Sequence, residues 1–399
     1  MARVLLILPT ATYRAPDFLE AAAKLGVEVV VGSEHRQAMS ESMGDRAVTL
    51  SLSRPDLAAD QIEKLSGRTP LGAIVAVDDG GTRAAATAAA RLGLKGNPPD
   101  AVARARDKAK MRAAFDDAGI PQPEWALGGD PAAIGYPAVL KPLTRSGSQG
   151  VIRADTREEA ARAAQRIRAI VGDEDAPLLI ERFAEGDEVA VEGLLENGRL
   201  EVLAVFDKPD PLDGPYFEET IYVTPSRHPP DTLKEIHRLT AQAAQALGLT
   251  EGPIHAELRL GPPITVLELA ARSIGGLCSR SLRFGLGVSL EELILRHALG
   301  LPTDHMRRED RASGVMMLPI PRAGVLEDVR GQDEARATPH IAGLEISIAR
   351  GKAVSPLPEG DRYLGFLFAK ADTPEQVERA LRTAHAQLEV EIAERALAS

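Results

Sequence analysis

The sequence predicts an α/β protein whose first hundred residues form a small doubly wound parallel sheet, followed by antiparallel strands with packed helices. Two observations carry this. Strand and helix patterns alternate from Arg3 to Leu92, and hairpin signals replace that alternation beyond Tyr136. The chain has 399 residues, enough for two to three domains, with 44% apolar and 26% charged residues.

The elements follow in order. Arg3–Leu8 is a short apolar strand, Pro16–Leu25 has helical spacing closed by Gly26, and Val27–Val31 is a β-branched strand. Ala47–Leu52 reads as a strand, Pro55–Leu65 as a helix, Ala73–Val77 as a strand and Thr82–Leu92 as an Ala-rich helix. The residues after the first strand do not form GxGxxG, which argues against a dinucleotide site there. Asn97-Pro98-Pro99 marks a boundary, and a single basic helix is expected from Asp100 to Ala118. Next come the strand Pro137–Pro142, a loop Thr144–Gly150, the strand Val151–Arg153, the helix Arg157–Val171 and the strand Pro177–Glu181. Strands Glu188–Leu195 and Leu200–Phe206 meet at Asn197-Gly198, a hairpin dipeptide. A helix over Asp231–Leu247 precedes the hairpin Ile254–Leu260/Ile264–Leu269, and a helix follows at Ser289–Leu299. Short strands separated by Pro and Gly lead to an amphipathic helix expected from Pro374 to Arg395. Boundaries are placed at 97, 184 and 302, giving an N-terminal α/β unit, a small lobe, a large lobe and a small C-terminal mixed domain.

Composition excludes several classes. The net charge of −11 argues against a nucleic-acid partner, and no apolar run approaches a membrane span. The opening apolar run is too short for a signal peptide, so a cytoplasmic location is expected. One cysteine, Cys278, offers neither an internal disulfide nor a thiol pair for zinc; with no evident His base beside it, a packed thiol is expected rather than a nucleophile. Only 10 of the 47 basic residues are Lys, which makes each Lys more informative, since a site that merely wants positive charge more often receives Arg here.

Counting outward from Gly261-Pro262-Pro263-Ile264 puts residue 257 opposite residue 268. Facing Cβ atoms lie ~5 Å apart, so Glu257 and Glu268 converge, and like charges destabilise such a pair unless a cation separates them. Two oxygen donors suit Mg²⁺, which completes its shell with phosphates and waters; solvated surface carboxylates paired with Arg are the plain alternative. Lys141 ends an apolar strand before a loop containing Ser146, Gly147, Ser148 and Gly150, whose amides suit phosphate oxygens. It is not a Walker A loop. Lys108 lies on the basic helix, where a solvated face is the alternative. The connection after Glu181-Arg182-Phe183 could read an adenine edge, and Glu188 could bind ribose hydroxyls or simply be a surface carboxylate.

In this order the set resembles the ATP-grasp superfamily over about residues 1 to 300, with an ATP-grasp fold expected behind a Rossmann-like N-terminal domain. The resemblance assigns Lys108 and Lys141 to the phosphates and Ser146–Gly150 to the closing loop. It assigns Glu181, Arg182 and Phe183 to the adenine hinge, Glu188 to ribose, and Glu257 and Glu268 to Mg²⁺, with Mn²⁺ as a substitute. The segment Glu268-x-Ala270-Ala271-Arg272-Ser273-Ile274-Gly275-Gly276 is similar to that of the L-amino-acid ligases, which join free amino acids. That likeness implies contact of Arg272 with an acyl phosphate, a substrate wall at Gly275 and Gly276, and an amine-binding role for Glu219 within Phe217-Glu218-Glu219-Thr220. It implies ATP-dependent amide formation between a carboxylate and an amine substrate, and a homodimer. Two departures stand out: Ala270 replaces an Asn frequent in relatives, and Ile221-Tyr222 replaces Gly-His, leaving Tyr222 as a site residue or a core aromatic. Alternative expectations are a bicarbonate-using enzyme similar to biotin carboxylase or carboxyaminoimidazole synthetases, and a non-catalytic nucleotide-binding protein.

Overall fold

The computed structural model describes residues 2–9, 12–35, 44–303 and 306–394. Its N-terminal unit is a parallel sheet of β1 (Arg3–Ile7), β2 (Glu28–Ser33), β3 (Ala47–Thr49) and β4 (Ala73–Ala76), in the order β3-β2-β1-β4. Every residue of β1 is buried because both faces are covered, as parallel sheets require. Val4, Leu6 and Leu8 share a core with Phe18 of α1 (Ala15–Lys24). Leu5 and Ile7 face the other way, onto α2 (Pro55–Ser66) and α3 (Asp79–Leu92). Gly81, in the first turn of α3, lets that turn close on β1: a Cβ there would lie 2.7 Å from Ile7.

The expected helix over Asp100–Ala118 is two helices, α4 (Pro99–Arg106) and α5 (Lys108–Ala118). Asp107 breaks the run because its carboxylate caps α5, accepting from the amides of Ala109 and Lys110. Behind it lies a four-stranded antiparallel sheet of β5 (Trp125–Leu127), β6 (Ala138–Pro142), β7 (Ile152–Ala154) and β8 (Leu178–Arg182), ordered β5-β8-β6-β7 and backed by α6 (Arg157–Val171).

The largest sheet has eight antiparallel strands. In chain order they are β9 (Glu188–Glu196), β10 (Arg199–Lys208), β11 (Ile221–Thr224), β12 (Gly252–Arg259), β13 (Thr265–Ala270), β14 (Ala312–Leu318), β16 (Ile341–Ile346) and β18 (Gly365–Ala371); in space they run β13-β12-β9-β10-β11-β14-β18-β16. Asn197 and Gly198 both take positive φ, as the hairpin turn between β9 and β10 demands. Helices α7 (Pro230–Leu247) and α8 (Leu290–Ala298) pack on this sheet, joining its core to that of the N-terminal unit. β15 (Gly324–Arg330), β17 (Ala353–Val354) and β19 (Glu389–Ala393) form a small sheet, with α9 (Gln332–Ala337) and α10 (Pro374–His385) alongside the end of the large one.

The final helix therefore stops at His385 rather than Arg395, which lies outside the described residues. Glu389–Ala393 alternates with a period of two, and Ile392 is buried against β15. No helix among the described residues is long and apolar enough to cross a membrane.

Candidate functional site

One cavity of about 460 Å³ is bounded by the N-terminal unit, the four-stranded sheet and the large sheet. Of the residues nominated from the sequence, all but Gly150 line it. Gly150 is buried with its amide donating to the Pro358 carbonyl at 3.0 Å, which withdraws it from the phosphate role expected of it.

The end of the cavity expected to take a nucleotide is built from β6, β8 and α5. Lys141 on β6 meets Glu181 on β8 at 2.5 Å, and Arg112 of α5 meets the other oxygen of Glu181 at 2.6 Å. Glu181 is 1% exposed. Burial alone would push its carboxyl up, but Arg112 and Lys141 hold it down at about 2. Its side chain thus serves as an ionic hub for Lys141. The amides of Arg182 and Phe183 donate to the carbonyls of Glu124 and Pro137, so the last two amides of the expected adenine hinge are engaged within the protein. The Phe183 ring is flanked by the guanidinium groups of Arg153 and Arg259.

Lys108 opens α5 immediately after its Asp cap. Its ammonium donates to the Arg145 carbonyl at 2.8 Å and stands 3.3 Å from Glu268, tying the phosphate loop to the acidic hairpin. Within that loop Gly147 and Ser148 take positive φ, and Ser146, Gly147 and Ser148 face the cavity. The loop is also fastened to the C-terminal region. Gln149 donates to the Glu359 carbonyl at 2.9 Å, and the Glu359 carboxylate accepts from Arg166 of α6 at 2.5 and 2.9 Å. The same stretch carries Asp361 and Tyr363, which line the cavity.

The β12–β13 hairpin pairs Glu257 directly with Glu268, the register that the turn arithmetic requires. Both face the cavity, and an all-oxygen pair beside phosphate-type cations fits Mg²⁺. Ala270, where relatives often carry Asn, pairs with His255 on the same hairpin. Glu257 has further partners: His255 at 3.4 Å and Lys208 at 3.6 Å. His255 is held in turn by buried Glu192 at 2.5 Å. Although burial lowers it, Glu192 and Glu257 together hold the imidazole up at about 9.

Lys208, at the end of β10, is a site residue that motif reading missed. Its ammonium contacts Glu219 at 2.5 Å and Glu188 at 2.6 Å. Burial lowers its pKa, but the surrounding carboxylates outweigh that and keep it charged. Glu188 also pairs with Arg259 at 2.9 Å, so the expected ribose acid is bound into this network rather than free. Glu219 accepts from the Tyr222 hydroxyl at 2.6 Å and the Tyr363 hydroxyl at 3.4 Å. Tyr222 is both buried core aromatic and hydrogen-bond donor to the site. The scarcity of lysine was the one sequence signal that pointed to Lys208.

Arg272 leaves β13 and is gripped by Asp79, at the start of α3, at 2.8 Å. Burial would raise the Asp79 carboxyl, but Arg272 and Arg106 hold it below the usual range. Gly275 and Gly276 line the wall beyond; a Cβ on Gly276 would come within 2.9 Å of the Phe366 ring. Cys278 is 2% exposed, and burial pushes its thiol well above the ordinary range, which suits packing rather than nucleophilic attack.

Family models match at residues 19–96 (ATP-grasp N-terminal domain), 134–281 (ATP-grasp domain) and 316–393 (L-amino acid ligase C-terminal domain 2). Alanine–anticapsin ligase of Bacillus subtilis is 29% identical over 265 residues, covering 59% of this chain and 56% of its own. The Bacillus amyloliquefaciens enzyme of that name is 30% identical over 239 residues, covering 53% and 50%. The match thus spans about half the length of these curated relatives. The crystal structure of an L-amino acid ligase from Bacillus licheniformis superposes with a TM-score of 0.83 at 25% identity, covering 99% of each chain. N5-carboxyaminoimidazole ribonucleotide synthetase from Thermotoga maritima shares the fold, with a TM-score of 0.73 at 17% identity over 98% of this chain and 100% of its own. With two lysines, an acidic hairpin and three domain matches in one chain, the protein carries ATP-grasp domains followed by a C-terminal domain that matches that of L-amino acid ligases.

Proposed function

We propose that this protein is an ADP-forming carboxylate–amine ligase that joins two amino-acid substrates by way of an acyl phosphate. The observation that carries the reading is an unbroken run of contacts from phosphate-type groups to an amine-type group. Lys108 touches Glu268, Glu268 faces Glu257, Glu257 neighbours Lys208, and Lys208 grips Glu219 beneath two tyrosine hydroxyls.

A carboxylate resists attack because its charge repels nucleophiles and its oxygen leaves poorly. In the proposed reaction a carboxylate oxygen takes the γ-phosphoryl group and ADP leaves. The amine nitrogen then attacks the acyl carbon, phosphate departs, and the amine loses a proton to solvent or phosphate. The protein's share is positioning and charge. Lys108 and Lys141 hold phosphate oxygens, and Arg272 faces the charge that builds on the acyl phosphate. Glu219 holds the incoming ammonium, which gives up one proton to solvent before its nitrogen attacks. Ser146, Gly147 and Ser148 cover the phosphates and exclude water, which would otherwise hydrolyse the intermediate. Glu257 and Glu268 would hold Mg²⁺, or Mn²⁺ in its place, which when bound neutralises phosphate charge.

The deciding experiment is phosphate release from Mg-ATP, screened with single amino acids, amino-acid pairs and bicarbonate. Release that requires a pair, with amide product by mass spectrometry, is the expected result. Release with bicarbonate alone would move the protein to a carboxylating chemistry and overturn the proposal.

A further inference from the structure

We infer that Lys208 is a resident cation: it occupies the space among Glu188, Glu219 and Glu257 where a metal ion would otherwise sit, and so positions Glu219 to receive the amine. The inference rests on the proposed ligase reading for the amine, and on geometry alone for the cation.

Ligand oxygens of Glu188, Glu219 and Glu257 all lie within 4.8 Å of one another, an arrangement of three carboxylates that matches a divalent-cation site. The Lys208 ammonium already stands among them, at 2.6 Å from Glu188, 2.5 Å from Glu219 and 3.6 Å from Glu257. The side chain is 2% exposed, too buried for a casual surface pair. Three acids gathered in a buried space without a cation would repel strongly, so the cluster depends on that ammonium. The identity of the residue matters. An ammonium is a compact charge with three tetrahedral donors and can serve three separate carboxylates, whereas a planar guanidinium favours two oxygens of one partner. In a chain with only 10 Lys among 47 basic residues, the use of Lys at this point fits that requirement.

The arrangement fixes Glu219. One oxygen accepts from both Lys208 and Tyr222, and the other is within reach of Tyr363. That leaves the second oxygen as the one available to an arriving ammonium. Lys208 itself lies over the Tyr222 ring, 5.0 Å from its centroid, so it is held by the ring as well as by its acids. It touches no reacting atom in this scheme; it is a positioning residue acting through Glu219.

The test uses Lys208→Ala, which removes the charge and empties the space that the ammonium fills. Manganese binding, followed by electron paramagnetic resonance in the presence of ADP, should show one more bound Mn²⁺ per chain in the variant than in the wild type. An equal number overturns the resident-cation role, and this count needs no substrate, so it stands even if the ligase reading fails. In steady-state assays the KM for the amine substrate should rise about tenfold or more while the KM for ATP moves by less than about threefold. A parallel rise in both, or no change in the amine KM, overturns the positioning role. Should Lys208→Ala not fold, the double variant Lys208→Ala/Glu219→Gln removes the charge with its main partner. Its amine KM should equal that of Glu219→Gln alone; a further rise would show that Lys208 does not act through Glu219.

Discussion

Arg272 donates through Nε to one oxygen of Asp79 at 2.8 Å, and its Nη2 stands 2.8 Å from that same oxygen as an ion pair. The two residues are 193 positions apart, and the pair ties the N-terminal sheet unit to the strand that carries the acidic hairpin. Asp79→Asn should therefore lower kcat by about a hundredfold, as a displaced catalytic group does, and leave the KM for ATP nearly unchanged. Steady-state kinetics checks this; an unaltered kcat would remove the N-terminal unit from catalysis.

Glu181 predicts how stability varies with acid. Its carboxyl is held at about 2 in the folded chain, below the ordinary value near 4.5. A depressed acid contributes stability above its unfolded pKa and loses it as pH falls towards the folded one. On the order of 3 kcal/mol should disappear between pH ~4.5 and ~2. Urea unfolding across that window should show a steeper loss for the wild type than for Glu181→Gln. That variant is less stable overall because Arg112 and Lys141 lose their buried partner. Parallel pH profiles would contradict the assignment.

The fastening at Glu359 predicts an uncoupling variant. Glu359 and Arg166 are each 42% exposed, so the pair adds no more than about 1 kcal/mol to folding. Glu359→Ala should leave the thermal midpoint in place. Loosening the phosphate loop by that amount should cut the amide formed per ADP by up to about fivefold, since water gains entry to the acyl phosphate. An unchanged ratio of amide to ADP would show that the loop closes without this tie.

Glu268 separates metal from nucleotide. Glu268→Gln removes one of two facing carboxylates but leaves Lys108 and Lys141 in place. The Mg²⁺ concentration for half-maximal turnover should rise roughly tenfold or more. ATP binding measured without metal should hold steady or strengthen, because Lys108 loses a competing acid 3.3 Å away. A Mg²⁺ requirement equal to that of the wild type would take Glu268 out of the metal pair.

Much of this site was legible because it depends on local counting. The facing of Glu257 and Glu268 followed from one turn, and Asn197-Gly198 announced its hairpin for the same reason. What stayed hidden depends on contacts far apart in the chain. Asp79 is an ordinary first-turn acid until α3 closes on the large sheet, and Lys208 reads as the end of a strand until β9, β10 and β12 lie side by side. The errors have local causes too. Apolar spacing in Asp100–Ala118 runs through Asp107, whose short carboxylate competes for the backbone and splits the helix. Near the C-terminus the helical period was carried into Glu389–Ala393, where alternation and pairing with β15 prevail.

The large sheet sets a scale for the chemistry. Glu268, Glu257, Glu188, Lys208, Tyr222 and Met317 stand on six successive strands, β13, β12, β9, β10, β11 and β14, and all but the buried Lys208 line the cavity. Neighbouring strands keep a spacing of about 4.8 Å, so the three steps from Glu257 to Tyr222 measure about 14 Å across the sheet. That interval is written in backbone hydrogen bonds, and no exchange of side chains can stretch or shorten it. In the proposed reaction the strand that bears Glu257 keeps that backbone spacing from the strand of Tyr222, while the side chains of Lys208 and Glu219 bring the polar groups together between them. A lineage that came to use longer or shorter substrates would have to change the far wall, at Met317 and the loop bearing Tyr363, while its nucleotide half stayed as it was.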